Sequence, residues 1–320
     1  MKKLILISSA VAMLFSACQK NSLTETDTPA AGFQRNCGSM EVLAAQMQED
    51  PTLESKMQAI ETFTQNFMAN PNANARLVNG VIEIPVVVNV LYRTTAENVS
   101  TAQIQSQIDV LNEDFNATNI DYSKVPSTFS GVKANIGIRF VLDQVIRKST
   151  TKKSWGTNDA MKKSSQGGLN PTSPTTKLNL WVCTLSGGIL GYAQFPGGSS
   201  ATDGVVILNS AFGRTGTAAA PFNKGRTATH EVGHWLNLRH IWGDATCGSD
   251  LVSDTPTHNT ANYGCPAAGH KSTCSGTPIE MTMNYMDYTD DACMYMFSAG
   301  QKSRVLATFA TGGPRNSFAR

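Results

Sequence analysis

The sequence lacks an excess of charge of either sign, and this limits the partners that it is suited to bind. Its 320 residues contain 26 lysines and arginines and 24 aspartates and glutamates. Lys2 and Lys3 lie within residues 1–17, so the rest of the chain carries equal numbers of basic and acidic residues. Because no basic tract occurs either, the sequence argues against nucleic acid as the main partner.

A membrane-spanning run is also lacking at the N-terminus. The apolar run Leu4–Phe15 is too short for a spanning helix. It follows two lysines and precedes Ser16-Ala17-Cys18, which predicts a secretory signal peptide over residues 1–17 and resembles a bacterial lipobox. Processing there leaves Cys18 as a lipid-carrying N-terminus, so we expect an exported, membrane-anchored lipoprotein, periplasmic or at the cell surface, that processing can release. An ordinary signal peptide with a chance cysteine is the alternative.

From Val81 onward the hydrophobic periodicity changes from helical to strand-like. The first strand has a long β-branched run, which is typical of a strand buried on both faces. Ser100, with Gln103 three residues later, predicts a capped helix after it. Together the elements define an α/β half-domain followed by a loop-rich remainder that closes with a helix. The predicted strands are Val81–Tyr92, Ile136–Ile146, Leu178–Leu185 and Val205–Leu208, and the predicted helices are Ser100–Phe115, Thr227–Leu238 and Ala299–Phe309.

Three of the five histidines fall in one short stretch. His230 and His234 are four residues apart, so on a helix their side chains share one face, with Glu231 beside them. His240 reaches the same point only if the chain turns sharply, and Asn237 suits the left-handed conformation that such a turn needs. Three neutral imidazoles leave a fourth position open, as in catalytic zinc sites. Glu231 is placed to act as general base on a zinc-activated water.

The segment after these histidines is rich in cysteine and in turn residues. In an exported protein its four cysteines predict two disulfides, and spacing alone leaves three pairings open. Cys183, inside a predicted strand, is interpreted as a buried thiol without a role. His258 and His270 lie in polar loop sequence without ligand spacing, and we predict that both are at the surface. The four clustered cysteines are Cys247, Cys265, Cys274 and Cys293.

A second motif makes a family resemblance specific. Residues 284–288, with the sequence NYMDY, resemble a Met-turn, and a histidine stretch followed by a Met-turn is similar to the metzincin metalloproteases. The residues that flank both motifs resemble the bacterial branch of the pappalysin family over roughly residues 80–312. The resemblance implies a metzincin zinc-protease fold, with a twisted mixed β-sheet, backing and active-site helices, and an irregular, disulfide-bonded C-terminal subdomain.

The resemblance also implies roles for single residues. Met286 is expected beneath the zinc without binding it, and Tyr288 is expected to donate its hydroxyl to the developing oxyanion. Asp291 is expected at the base of the pocket for the residue after the scissile bond. A buried carboxylate there pairs best with Arg and next with Lys. Asp290 is the alternative for that role.

Two further features of the C-terminal half follow from the resemblance. The family pattern pairs Cys247 with Cys274 and Cys265 with Cys293. It also implies bound calcium, with Asp244 and Asp254 at the matching positions, because hard carboxylates suit that ion. A simple acidic turn is the alternative at both aspartates.

The sequence around Cys37 resembles a cysteine switch, because Arg35, Cys37 and Gly38 match an Arg-x-Cys-Gly pattern upstream of a metalloprotease domain. The thiolate of Cys37 is expected to take the open zinc position and exclude water, while Arg35 docks on acidic groups of the cleft. The protein would then be made as a latent precursor. A tether cysteine without a role is the alternative.

These observations divide the chain into parts. After the signal peptide, residues 18–36 are polar and aperiodic and predict a lipid-anchored tether. Residues 37–78 carry helical periodicity and are interpreted as a pro-segment. We expect the catalytic domain at 79–312, with a C-terminal subdomain at 241–312, and a tail at 313–320.

The predicted function is that of a monomeric zinc endopeptidase that prefers Arg or Lys after the scissile bond. Its partners are a peptide or protein substrate and, through the N-terminal lipid, a membrane. We expect the substrate to add as a strand to a sheet edge near Leu178–Leu185. Two alternatives come from other classes: a surface lipoprotein that binds a partner and holds a structural zinc, and a zinc hydrolase of a non-peptide substrate.

Overall fold

A five-stranded β-sheet lies at the centre of the protein, whose computed structural model describes residues 34–70 and 81–319. The strand order is β3-β1-β4-β6-β5. Neighbours among β3, β1, β4 and β6 run parallel, and β5 pairs antiparallel with β6 at one edge. The strands are β1 Ile82–Tyr92, β3 Ile138–Ser149, β4 Leu178–Cys183, β5 Gly191–Ala193 and β6 Val205–Leu208, and a short strand β2, Lys133–Ala134, precedes β3.

Helices cover the sheet and position the site. Helix α3, Thr101–Phe115, lies against β3, and the hydroxyl of Ser100 caps it by accepting a hydrogen bond from the Gln103 amide. Helix α4, Arg226–Trp235, packs against α3, β5 and β6, and all ten of its residues are buried. This burial on every side explains why the residues of α4 can hold polar groups in fixed positions.

The part of the chain after α4 is irregular, as predicted. Two disulfides stabilise it and join Cys247 to Cys274 and Cys265 to Cys293, the pairing that the family pattern implies. Strand β7, Phe297–Ser298, pairs with β2, and helix α5, Ala299–Phe309, follows it. The hydroxyl of Ser298 and the side chain of Gln301 form a reciprocal capping box at the start of α5.

Two helices near the N-terminus pack on this body. Helix α1, Ser39–Glu49, lies against β5, and helix α2, Leu53–Met68, lies against α5. Glu61 of α2 forms a paired salt bridge with the fully buried Arg304 of α5, with N–O distances of 2.9 and 2.7 Å. The residues from Gln34 to the C-terminus therefore fall in one compact unit.

Two differences from the sequence expectations concern the sheet and the N-terminus. The strand at Leu178–Cys183 is interior, between β1 and β6, so the expectation of a sheet edge at this strand is wrong. The edge strand is β5, which has only three residues and carries no periodic signal. Arg35 and Asn36, assigned to the tether, lie in the cleft instead, and Arg35 is buried.

Several expectations concern residues outside the described part of the chain. These are the signal peptide, the lipid at Cys18, the tether up to residue 33, and the end of the pro-segment within residues 71–80. Among residues 34–70 and 81–319, no helix combines the length and the apolar character that crossing a membrane requires.

Candidate metal and catalytic site

Three imidazoles converge at the end of helix α4. The Nε2 atom of His234 lies 3.2 Å from that of His230 and 3.1 Å from that of His240. The helix ends after Trp235, and Asn237 takes a left-handed conformation with a φ of 71°. The predicted sharp turn at Asn237 is therefore present, and it brings the third histidine to the other two.

The second nitrogen of each ring has its own partner, and this fixes which nitrogen is free. His230 Nδ1 lies 2.7 Å from the carbonyl oxygen of Tyr285, and His234 Nδ1 lies 2.8 Å from that of Leu238. His240 Nδ1 contacts the carboxylate of Asp244. Because carbonyl and carboxylate oxygens only accept, each Nδ1 carries the hydrogen and each Nε2 offers a lone pair to the shared point.

This donor set fits zinc. A tetrahedral zinc with Zn–N bonds of about 2.0–2.1 Å holds two nitrogens roughly 3.3 Å apart, close to the spacing of these Nε2 atoms. Burial lowers the pKa of His230 and of His234 well below the usual 6.5, so both imidazoles are neutral, as a metal ligand must be. The ring of His240 also stacks on Trp242, with centroids 4.3 Å apart, which fixes its plane.

Met286 lies against α4 below the histidines and is fully buried. A Cβ atom at Gly233 would meet the Met286 sulfur at 2.5 Å, so any larger residue at this position of the helix would force the methionine side chain to shift. The amide of Ile241, next to the third histidine, donates to the Met286 carbonyl at 3.1 Å. The Met-turn is thus bonded to the chain that carries His240, and the role of its methionine beneath a zinc stays a prediction.

Glu231 lies beside the imidazoles and is almost fully buried. Its Oε2 atom accepts a hydrogen bond from Ser39 Oγ at 2.9 Å and contacts Cys37 Sγ at 3.2 Å. Burial raises the pKa of Glu231 to about 7, while the contacts with Cys37 and Ser39 act in the opposite direction. The carboxylate is therefore held by two side chains from near the N-terminus, Cys37 and Ser39.

Cys37 joins the three histidines in one cluster. Its Sγ atom and one nitrogen of each imidazole all lie within 4.8 Å of one another. The phenol of Tyr288 contacts the same residue, because its oxygen accepts from the Cys37 amide at 3.2 Å and its hydroxyl donates to the Cys37 carbonyl at 3.3 Å. The thiol and the phenol thus lie where the sequence analysis expected them, on the open side of the histidines.

Asp291 forms the floor of an adjoining pocket that Arg35 fills. The two side chains are fully buried and join Nη2 to Oδ1 at 2.6 Å. The other carboxylate oxygen accepts from the backbone amides of Lys224 and Arg226, at 2.7 and 3.2 Å, at the start of α4. Asp290, the alternative, is not a partner of this arginine in any hydrogen bond that the described residues form.

Each nitrogen of the Arg35 guanidinium has a hydrogen-bond acceptor. Its Nη1 atom donates to Thr227 Oγ1 at 3.1 Å, and its Nε atom donates to the carbonyl oxygen of Thr289 at 3.1 Å. It also lies over the ring of Phe222, 5.0 Å from the centroid. The pocket therefore offers a carboxylate, two neutral acceptors and an aromatic face to a planar cation.

Residues 34–39, here called the N-terminal segment, also bind the edge of the sheet. The Gly38 amide donates to the Gly191 carbonyl at 2.9 Å, and the Leu190 amide donates to the Asn36 carbonyl at 2.9 Å. Cys37 pairs parallel with Gly191. Ser39 Oγ accepts from the Ala193 amide at 2.9 Å, so the segment covers the free edge of β5 beside the histidines.

The two proposed calcium aspartates have protein partners. Asp244 binds His240, and the carboxylate of Asp254 accepts from Ser298 Oγ at 2.6 Å and from the Gly300 amide at 2.8 Å. Within residues 34–70 and 81–319, the cluster of Cys37 with the three histidines is the one group of three or more such side chains with metal-binding geometry. Calcium binding at Asp244 and Asp254 stays a prediction without support from these contacts.

The surface prediction is wrong for His258, which is fully buried. Its Nε2 atom accepts from the Met281 amide at 2.9 Å, and its Nδ1 atom lies 3.5 Å from a carboxylate oxygen of Asp287. The disulfide-bonded loops enclose a polar core that the loop composition does not reveal. His270 has a side chain that is 45% exposed, in agreement with the prediction.

Sequence reasoning missed three residues that contact the site. Ser39 directly follows the Cys37-Gly38 pair, and that position was the available signal. Asp114 lies on the buried face of α3, three residues after Leu111, where an acid is unexpected. Tyr285 belongs to the Met-turn, but only the structure shows its carbonyl on His230.

A sheet with a backing helix, an active-site helix that ends in a sharp turn, and a methionine turn beneath three imidazoles is the arrangement of a metzincin metalloprotease. The profile of the M43 peptidase family, described as pregnancy-associated plasma protein-A, matches residues 175–310. An extracellular metalloprotease of Pyricularia oryzae is 35% identical over 255 residues, which cover 76% of this chain and 79% of that protein. One from Colletotrichum graminicola is 32% identical over 314 residues, with coverages of 92% and 96%.

Solved structures agree with these relatives. A promirolysin variant of Tannerella forsythia has a TM-score of 0.80 and 40% identity, covering 89% of this chain and 97% of that one. Mature mirolysin of Tannerella forsythia, in complex with a cleaved peptide, has a TM-score of 0.72 and 45% identity, covering 75% of this chain and 96% of that one. The chain belongs to the pappalysin family and is a zinc metalloendopeptidase.

Proposed function

We propose that the chain is a latent zinc endopeptidase in which Glu231 is the general base. The observation that carries the proposal is the contact of its carboxylate, at 3.2 Å, with the Cys37 thiol, which clusters with three imidazoles whose Nε2 atoms converge. Zinc, when bound there, polarises the scissile carbonyl and lowers the pKa of the attacking water to about 7. Glu231 takes a proton from that water and delivers it to the leaving amine. Burial raises the pKa of this carboxylate above its ordinary value, which suits both transfers near neutral pH.

Tyr288 is proposed to stabilise the oxyanion. Its hydroxyl already donates to a backbone carbonyl, that of Cys37, within the metal cluster. Burial raises the pKa of Tyr288, so the phenol keeps its proton and remains a donor. A substrate carbonyl that replaces that of Cys37 would receive the same hydrogen bond.

The pocket at Asp291 is proposed to select the residue after the scissile bond. Arg35 supports this, because it is an arginine from the chain itself seated in that pocket with three hydrogen-bond acceptors around it. An ammonium group carries no Nε donor and no planar face, so lysine would satisfy fewer of these groups. Both cations are accepted under the proposal, and arginine is preferred.

Latency is proposed to depend on the N-terminal segment. Cys37 supplies a fourth ligand to the metal and displaces water, while Ser39 occupies Glu231. The same segment pairs with β5, the edge to which a substrate strand would add. The metal, the base, the pocket at Asp291 and the sheet edge are thus blocked by six consecutive residues.

Export is proposed from the N-terminal sequence. The signal-like leader, and relatives that are named extracellular metalloproteases, support secretion of this chain. Lipid attachment at Cys18 is proposed from the lipobox-like sequence alone. Mass spectrometry of the N-terminal peptide, from cells labelled with a fatty acid, decides between a lipidated Cys18 and an ordinary cleaved signal peptide.

One observation favours a second candidate, a partner-binding lipoprotein with a structural zinc. The cluster of Cys37 with three histidines offers four protein ligands, as closed structural sites do. Wild type and Glu231→Ala, both first processed to remove the N-terminal segment and then incubated with peptides that carry Arg, Lys or Leu after the bond, separate the two. Cleavage by wild type alone, fastest before Arg, supports the protease. Zinc in both proteins with cleavage by neither would support the binding module.

A further inference from the structure

A carboxylate on the backing helix joins the two elements that carry the metal site. Asp114, on α3, is 3% exposed. Its Oδ2 atom accepts from Thr229 Oγ1 at 2.8 Å, and its Oδ1 atom accepts from the Tyr285 hydroxyl at 2.7 Å. Thr229 directly precedes His230 on α4, and Tyr285 directly precedes Met286 in the Met-turn. One side chain on α3 therefore binds both elements.

The contact matters for His230 because its orienting partner is remote in sequence. The Nδ1 partners of His234 and His240 lie only four residues away from them, at Leu238 and Asp244. The Nδ1 partner of His230 is the carbonyl of Tyr285, 55 residues away. The direction of this imidazole therefore depends on where the Met-turn lies relative to α4.

Tyr285 connects Asp114 to the backbone carbonyl that orients His230. Its side chain is fully buried, and its ring packs on Phe297 with centroids 4.7 Å apart. Arg226 lies 3.5 Å from Asp114 Oδ1 and supplies the positive charge that a buried carboxylate needs. The hydroxyl end of Tyr285 is thus anchored on α3, while its backbone end receives the hydrogen of His230.

We propose that Asp114 is a positioning residue of the metal site, which orients His230 through Tyr285 and steadies it through Thr229. The inference rests on the zinc site of the proposed function. Hydrogen-bond partners outside the ligands themselves change metal affinity by about 10- to 100-fold when they are removed. Loss of the Tyr285 hydroxyl should change the zinc affinity by a factor in that range, although this hydroxyl binds Asp114 and not a zinc ligand.

The test compares Tyr285→Phe with Tyr295→Phe in the full zinc-loaded chain. Within residues 34–70 and 81–319 the Tyr295 hydroxyl hydrogen-bonds only the Lys124 carbonyl, at 3.5 Å in an exposed position, so it is a matched control. The rate of zinc loss to a chromophoric chelator is measured for each protein. Tyr285→Phe should release zinc roughly 10- to 100-fold faster than wild type, and Tyr295→Phe at the wild-type rate. Release by Tyr285→Phe at the wild-type rate would overturn the inference.

Cobalt(II) in place of zinc gives a readout that a merely structural role would not change. The visible absorption of the folded Tyr285→Phe protein should shift, because the orientation of one imidazole changes, and an unchanged spectrum would contradict the inference.

The variant Asp114→Asn tests whether Asp114 acts through Tyr285. Combined with Tyr285→Phe, it should release zinc no faster than the faster single variant. Additive effects would contradict transmission through Tyr285. Failure of wild type itself to bind zinc would instead refute the proposed function.

Discussion

The hydroxyl of Ser39 donates a hydrogen bond to Glu231, with 2.9 Å between Oγ and Oε2. The same oxygen accepts from the amide of Ala193 on the edge strand. A single buried serine therefore binds the proposed base and the backbone group that a substrate would use. Latency in this protein is thus expected to have two parts, a thiol on the metal and a hydroxyl on the base.

Ser39→Ala should weaken latency while Cys37 remains in place. A hydrogen bond to a charged group is worth about 1.5–3 kcal/mol, so the unprocessed chain should become at least roughly tenfold more active on a peptide. Ser55→Ala is the control, because Ser55 lies in α2 and its hydroxyl donates to the Thr52 carbonyl, away from the site. Equal activity of wild type and Ser39→Ala would show that the serine contact has no part in latency.

Cys37→Ala should give a chain that cleaves peptides without processing. The substitution removes the proposed fourth ligand and leaves the metal position open to water. Cys183→Ala serves as the control, because Cys183 is also a buried free thiol but lies inside β4. Activity of the unprocessed protein is measured before any cleavage of the chain is detectable. If Cys37→Ala is as latent as the wild type, the cysteine switch is wrong.

Asp291→Asn should remove the preference for arginine. In the processed enzyme it replaces a buried charged partner of the substrate guanidinium with a neutral one, which costs about 1.5–3 kcal/mol, or roughly 10- to 150-fold in kcat/KM for a peptide with Arg after the bond. Cleavage before Leu should change little. Asp290→Asn is the matched control, since this neighbour makes no hydrogen bond to Arg35 in the described structure. A larger loss from Asp290→Asn would reassign the pocket.

Zinc should be retained at mildly acidic pH. Protons compete with zinc for the imidazole lone pairs, so a lower ligand pKa moves release to lower pH. Burial lowers the pKa of His230 and of His234 well below 6.5, and both therefore stay unprotonated when the pH falls to about 6. Dialysis across a pH series, followed by metal analysis, should show full zinc content at about pH 6. Loss of half of the zinc at about pH 6.5, the ordinary pKa of histidine, would contradict this expectation.

The metal site could be predicted from sequence because most of its geometry is local. The four-residue spacing of His230 and His234 fixes one helix face, and the turn before His240 needs a residue that tolerates positive φ. Asn237 has that conformation. The strand β1 and the start of helix α3 could be predicted from sequence for the same reason, because periodicity and capping are properties of neighbouring residues.

The parts that sequence did not predict depend on contacts between distant residues. Strand β5 has three residues, too few for any alternation, and its role comes from its place at the edge. The bond from Tyr285 to Asp114 spans 171 residues, and no spacing rule connects them. His258 looked like a loop residue because its burial comes from the two disulfides and the carboxylates of the folded C-terminal half.

The most direct test of the central claim is kcat/KM of processed wild type and of Glu231→Gln on a peptide with Arg after the bond. Both proteins should hold zinc equally, because Glu231 is not a ligand. Loss of a general base should lower kcat/KM by about 10²–10⁴-fold. Equal kcat/KM at equal zinc content would contradict the account, because the chemistry would then proceed without the carboxylate that is proposed as the general base.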